Sequence, residues 1–176
     1  MFYTLEFFSL CRDRLNPGGV LALRIPASEN RWTPQMTERA LSIHGALSPV
    51  FGHILVLPGD TDVVTASSSA LPRDPQVFIE RLRARQIRSR LISEPYIRYL
   101  LTNDRFAEVE QTLRTRTAPT NTDAKPICFQ LTVWLWLSKF FPALAGMSFE
   151  QIESMAGAHW MWAAVPLALL AGLFLL

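Results

Sequence analysis

The run Leu15-Asn16-Pro17-Gly18-Gly19-Val20-Leu21-Ala22-Leu23-Arg24-Ile25-Pro26 constrains this chain more than any other stretch. Pro17 sets φ for a turn, and Gly18 and Gly19 supply conformations with φ > 0. Val20 to Ile25 are apolar except at Arg24, the pattern of a strand buried inside a sheet. Before the turn, Leu5, Phe8, Cys11 and Leu15 recur at three- and four-residue spacing behind Thr4, a candidate N-cap. The unit reads as helix, turn, strand.

Downstream, Thr33-Pro34 is a cap and first-turn pair for a helix whose inner face carries Met36, Ala40, Ile43 and Leu47. Phe51 to Leu57 and Asp62 to Ala66 are two strands joined by Pro58-Gly59-Asp60, which makes an antiparallel hairpin. Asp74-Pro75, Ser93-Glu94-Pro95 and Asn103 each open a helix. Thr115 to Lys125 is a polar, proline-containing loop and the best boundary in the chain. Ile127 to Phe141 is apolar and aromatic but short for a membrane span, so it reads as an interfacial helix or one packed on the folded domain.

A formal net charge of +2 over 176 residues favours no class of partner. Arg81, Arg83, Arg85, Arg88 and Arg90 could meet phosphates, but Glu80 intervenes and no aromatic platform accompanies them. A solvated helix face is the better reading, and no nucleic acid is expected. Cys11 and Cys128 are too few for a disulfide framework or a zinc site, and His44, His53 and His159 lack ligand partners at metal spacing. The N-terminus has no signal-peptide pattern. From Gly157 to Leu176 the chain carries no formal charge, and a span needs about 20 apolar residues. A transmembrane helix over 157–176 is therefore expected, with Trp160 and Trp162 at the interface. Because Lys and Arg stop at Lys139, the preceding part should face the cytoplasm from the inner membrane.

Candidate ligand positions are few. Glu29 and Asn30 follow the C-terminal end of the first strand, where open α/β sheets bind ligands, although a loop entering a helix also uses Asn. Asp60 and Asp62 can act as an acid–base pair, but a turn between strands favours Asp for backbone hydrogen bonding in any case. Asn121 and Asp123 precede the aromatic helix and either close a pocket or cap that helix.

The Pro-Gly-Gly turn and its strand resemble the corresponding part of the class I S-adenosylmethionine-dependent methyltransferase fold. Taken with Phe2-Tyr3-Thr4-Leu5-Glu6-Phe7-Phe8, Glu29-Asn30-Arg31-Trp32-Thr33-Pro34, Leu55-Val56-Leu57-Pro58-Gly59-Asp60 and Asn121-Thr122-Asp123-Ala124-Lys125-Pro126, the chain resembles the spermidine synthase family of polyamine aminopropyltransferases, most of all its membrane-fused bacterial branch. The resemblance implies an α/β fold: the C-terminal portion of a Rossmann-like methyltransferase sheet ending in an antiparallel hairpin, then helices and a transmembrane helix. The implied layout is a partial synthase-like domain over 1–116, a linker over 117–126, an amphipathic or interfacial helix over 127–145 and the span over 157–176.

In that family, aminopropyl groups pass from decarboxylated S-adenosylmethionine to a polyamine, held by a Gly-rich turn and an Asp-rich loop. Relatives place a tyrosine near the hairpin turn, where this chain has Leu57 to Asp62 without one. No Gly-x-Gly-x-x-Gly occurs in these 176 residues, so no co-substrate site is expected in the chain itself. The expected function is a catalytically inactive fragment of a membrane-associated enzyme, with Glu29, Asn30, Asp60, Asn121 and Asp123 nearest any substrate. The alternative is a non-catalytic, membrane-anchored module that completes or regulates a partner, either a missing N-terminal half or a second copy.

Overall fold

A computed structural model describes residues 2–28, 30–142, 146, 147, 151 and 154. Helix α1 (Leu5–Arg14) opens as its sequence implies, with the Thr4 hydroxyl accepting from the Phe7 N–H. At the turn, Gly18 takes φ +74° and the Gly19 N–H returns to the Asn16 carbonyl at 2.8 Å. A side chain on Gly19 would sit 2.9 Å from that carbonyl, whereas Gly18 has open space around it and is favoured by its positive φ alone. Strand β1 (Val20–Pro26), helix α2 (Pro34–Leu47) and the hairpin β2 (His53–Leu57) and β3 (Thr61–Ser67) follow. Helices α3 (Pro75–Ala84), α4 (Glu94–Thr102), α5 (Asp104–Thr115) and α6 (Ile127–Leu137) complete the described elements.

Side chains of Thr33, Asp74, Ser93 and Asn103 cap α2, α3, α4 and α5. Each such cap contributes about 1 kcal/mol. Helix α3 ends at Ala84, where Gln86 takes φ +53°, so Arg88 and Arg90 lie beyond it rather than on its surface.

The sheet corrects the fold expected from the sequence. It has three strands in the order β1-β3-β2, and both neighbouring pairs are antiparallel. The described residues contain no parallel pair and thus no portion of a parallel, Rossmann-like methyltransferase sheet. The hairpin is present, but β3 inserts between its partner and β1, which leaves β1 at the edge. Val20, Ala22, Arg24 and Pro26 are exposed on alternate positions while Ile25 is buried. An apolar composition on both faces was compatible with burial, but helices cover only one face of this strand.

Helices pack on both sides of the hairpin, and adjacent residues of β2 show it. Val56 joins Phe8, Trp32, Ile43, Leu47, Phe51 and Val109 in the larger core. Leu55 points the other way, to Ile79, Ile97, Leu101 and Phe106. Helix α6 lies against α2 through Ile127, Cys128 and Leu131, while Phe129, Val133 and Trp136 are exposed.

The membrane expectations are corrected as well. No helix among the described residues is long and apolar enough to cross a membrane, and the span expected at 157–176 lies outside those residues. An inner-membrane location with the remainder facing the cytoplasm therefore has no support from the structure.

Replacing Gly18 by Ala places a Cβ in a left-handed conformation and should cost about 1 kcal/mol. Urea midpoints of the variant and parent, compared at an unchanged slope, measure this directly.

Candidate functional site

The polar groups of this protein converge where β1 ends, the β2–β3 turn reverses the chain and α4 meets α5. The turn is held from both sides. The Gly59 N–H donates to Asp62 Oδ1 at 3.3 Å, and the Ala27 N–H donates to the Asp60 carbonyl at 3.0 Å. These bonds bring the segment after β1 against the hairpin. Asp60 stays exposed in the turn, whereas Asp62, one residue into β3, is only 3% exposed.

Asp62 shares its surroundings with three nitrogen-bearing side chains, Arg105, Trp32 and Arg39. The Arg105 guanidinium stacks 5.1 Å over the Trp32 ring and donates through Nη1 to Glu108 Oε2 at 2.9 Å. Arg39 donates to the Pro26 carbonyl. Trp32 Nε1, Arg39 Nε and the Nε and Nη2 atoms of Arg105 are buried without an acceptor. Trp32 Nε1 faces the Asp62 carboxylate without reaching good hydrogen-bond geometry. The cavity between Asp62, Trp32 and His44 is about 10 Å³, the room of one water at most.

Burial pushes the Asp62 carboxyl up to about 6, against the opposing pull of the Gly59 hydrogen bond and of Arg105, Trp32 and Arg39. His44, lining the same cavity, is lowered by burial and is thereby kept neutral. The arrangement can hold a proton on a carboxyl beside two guanidinium groups. It does not supply a metal site, since the described residues contain no cluster of metal-ligating side chains.

Above the turn lies an open pocket of about 410 Å³, with Arg24 and Asp60 on one wall and Tyr96, Tyr99, Asn103 and Arg105 on the other. Of the residues expected near a substrate, only Asp60 borders it. Asn30 is exposed on the neighbouring loop, and Glu29 lies outside the described residues.

Asn121 and Asp123 sit elsewhere. Asn121 is 1% exposed, its Nδ2 donates to the Tyr3 carbonyl at 2.7 Å, and its Oδ1 accepts from the Cys128 N–H at 3.1 Å. Its carbonyl accepts from the Leu5 N–H at 3.0 Å. The Asp123 N–H donates to Glu6, and a hydrogen bond from Thr4 holds the Asp123 carboxyl below its ordinary range. Asn121 thus joins α1 to α6 and Asp123 is tied to the start of α1, and neither borders the open pocket. Trp32, Asp62 and Arg105 were not singled out together from the sequence. Trp32 beside a Thr-Pro helix start and Asp62 beside a Gly-Asp turn were visible, but only the folded chain brings Arg105 to them.

Neither protein-family models nor curated proteins match this sequence.

Two outcomes test these assignments. Asn121→Ala leaves the Cys128 N–H and the Tyr3 carbonyl unpaired and should cost about 2–4 kcal/mol in urea unfolding. The folded-state acidity of Asp62 is weaker than in the unfolded chain, so the folded state holds the extra proton between about pH 4 and 6. Asp62 therefore costs stability progressively as pH rises through that window. Asp62→Asn keeps an acceptor for Gly59, and its stability relative to the parent should increase from pH 4 to pH 7 in paired urea titrations.

Proposed function

We propose that this chain is an aminopropyltransferase-like polypeptide that is inactive by itself and works by completing a partner that carries the nucleotide-binding half. The observation that supports this best is the outer edge of β1. The strand pairs with β3 along all seven residues on one side, and no described strand pairs with the other. An open edge of that length presents a row of N–H and C=O groups that another strand can satisfy. Val20 on this strand is 48% exposed, and Phe2 and Leu10 on the preceding segment are 76% and 66% exposed. An apolar flank and an unpaired edge together suit association better than solvation.

The family likeness rests on the order of its sequence elements: the Phe2–Phe8 segment, the Pro-Gly-Gly turn, the loop carrying Trp32 and the Pro58-Gly59-Asp60 turn. In this reading decarboxylated S-adenosylmethionine, or S-adenosylmethionine, is held by the partner, because the 176 residues offer no Gly-rich cradle for it. A second copy of the chain, paired β1 to β1, is the competing occupant of the edge.

The purified chain should transfer neither aminopropyl nor methyl groups. Co-expressed with an aminopropyltransferase N-terminal half that bears the Gly-rich turn and Asp loop, it should co-purify as a stable complex. Val20→Lys combined with Ala22→Lys changes two exposed positions and should reduce recovery of that complex about tenfold. Transfer activity from the chain alone, a chain that stays unpaired, or a homodimer that excludes the partner half would overturn the proposal.

A further inference from the structure

The geometry points to the pocket between the β2–β3 turn and the α4–α5 junction as a binding site for a planar organic anion, a carboxylate or phosphate carried on an aromatic ring. At about 410 Å³ the pocket has the size of a small-molecule site. Its charge selects the ligand. Two guanidinium groups, Arg24 and Arg105, border it against a single carboxylate, Asp60. Such a balance attracts an anion and repels a polyamine, so this pocket does not serve the substrate that the family likeness implies.

Arg24 is not consumed by internal pairing, and Arg105 is only partly so. Arg24 makes no ion pair or side-chain hydrogen bond among the described residues. Arg105 spends Nη1 on Glu108 and leaves Nε and Nη2 without acceptors. That buried guanidinium edge keeps positive charge at the pocket wall, which favours an anion there.

The aromatic part of the ligand follows from α4. Tyr96 and Tyr99 are three residues apart, hence neighbours on one helix face, and they are 44% and 61% exposed. Neither phenol makes a hydrogen bond among the described residues, and both rings border the pocket. Exposed rings beside guanidinium groups form a surface for stacking a flat ring whose charge lies at one end. The walls are already set. Asn103 caps α5 at the Phe106 N–H and donates to the Tyr99 carbonyl at 2.8 Å, and Asp62 ties the opposite turn.

The test is a titration of the full chain with phenyl phosphate, benzoate, cyclohexanecarboxylate, inorganic phosphate and spermidine, followed by NMR chemical shifts or intrinsic fluorescence. Saturable binding of phenyl phosphate or benzoate is expected, and the tighter of the two identifies the anionic group. Inorganic phosphate and cyclohexanecarboxylate should bind about tenfold more weakly. Arg24→Gln and Tyr99→Ala alter exposed positions and should each weaken binding about five- to tenfold while leaving the urea midpoint unchanged. Equal affinity for the saturated acid, preference for spermidine, or aryl-anion binding that neither variant weakens would overturn the inference. None of these outcomes depends on whether β1 recruits a partner strand.

Discussion

A single buried amide holds together parts of the chain that lie far apart in sequence. Asn121 receives the first free N–H of α6 at Cys128, donates to the carbonyl just ahead of α1, and through its own carbonyl takes an N–H from the start of α1. Its N–H also turns toward the Ser42 carbonyl of α2, while the Ser42 hydroxyl donates to Pro119. Helix starts leave donors without intrahelical partners, and burying them demands acceptors from elsewhere. One residue meets that demand for two helices, with its side-chain oxygen at α6 and its backbone carbonyl at α1. The polar stretch 117–126 therefore behaves as a packed strap over α1 and α2, and Tyr3 accepts a positive φ of 65° to present its carbonyl.

The second constraint is the hairpin turn, where burial and charge oppose one another. Asp62 is needed to tie Gly59, yet its place in β3 takes it out of water. The chain offsets the cost by surrounding it with Arg105, Trp32 and Arg39, none of which closes to a direct ion pair with it. Burial, only partly opposed by those neighbours, keeps the carboxyl easy to protonate. The spacing leaves the arginines with unused donors, so the interior cluster and the open pocket share Arg105 as a common wall.

What the sequence disclosed was local. Thr4, Thr33, Asp74, Ser93 and Asn103 announced their helices because a cap is decided within four residues. Pro17-Gly18 and Pro58-Gly59-Asp60 announced turns for the same reason. Where a property depended on distant neighbours, the sequence misled or was silent. Val20 to Ile25 has the composition of a central strand, but strand order is settled by β3, some forty residues later. Asn121 suggested a pocket residue or a cap; it does accept an N–H at the start of α6, but its ties to Tyr3 and Leu5 at the other end of the chain left no sign in the sequence. The convergence of Trp32, Asp62 and Arg105 left no periodic trace, because each belongs to a different element.

Cys128 gives the joint at Asn121 an observable consequence. Its thiol is 6% exposed and burial pushes it up to about 11, so at neutral pH it is both shielded and almost wholly protonated. Thiolate chemistry there requires α6 to part from α2. The rate at which this one sulfur is alkylated thus records how often that helix lifts away, a clock for local opening placed beside the amide that keeps it shut.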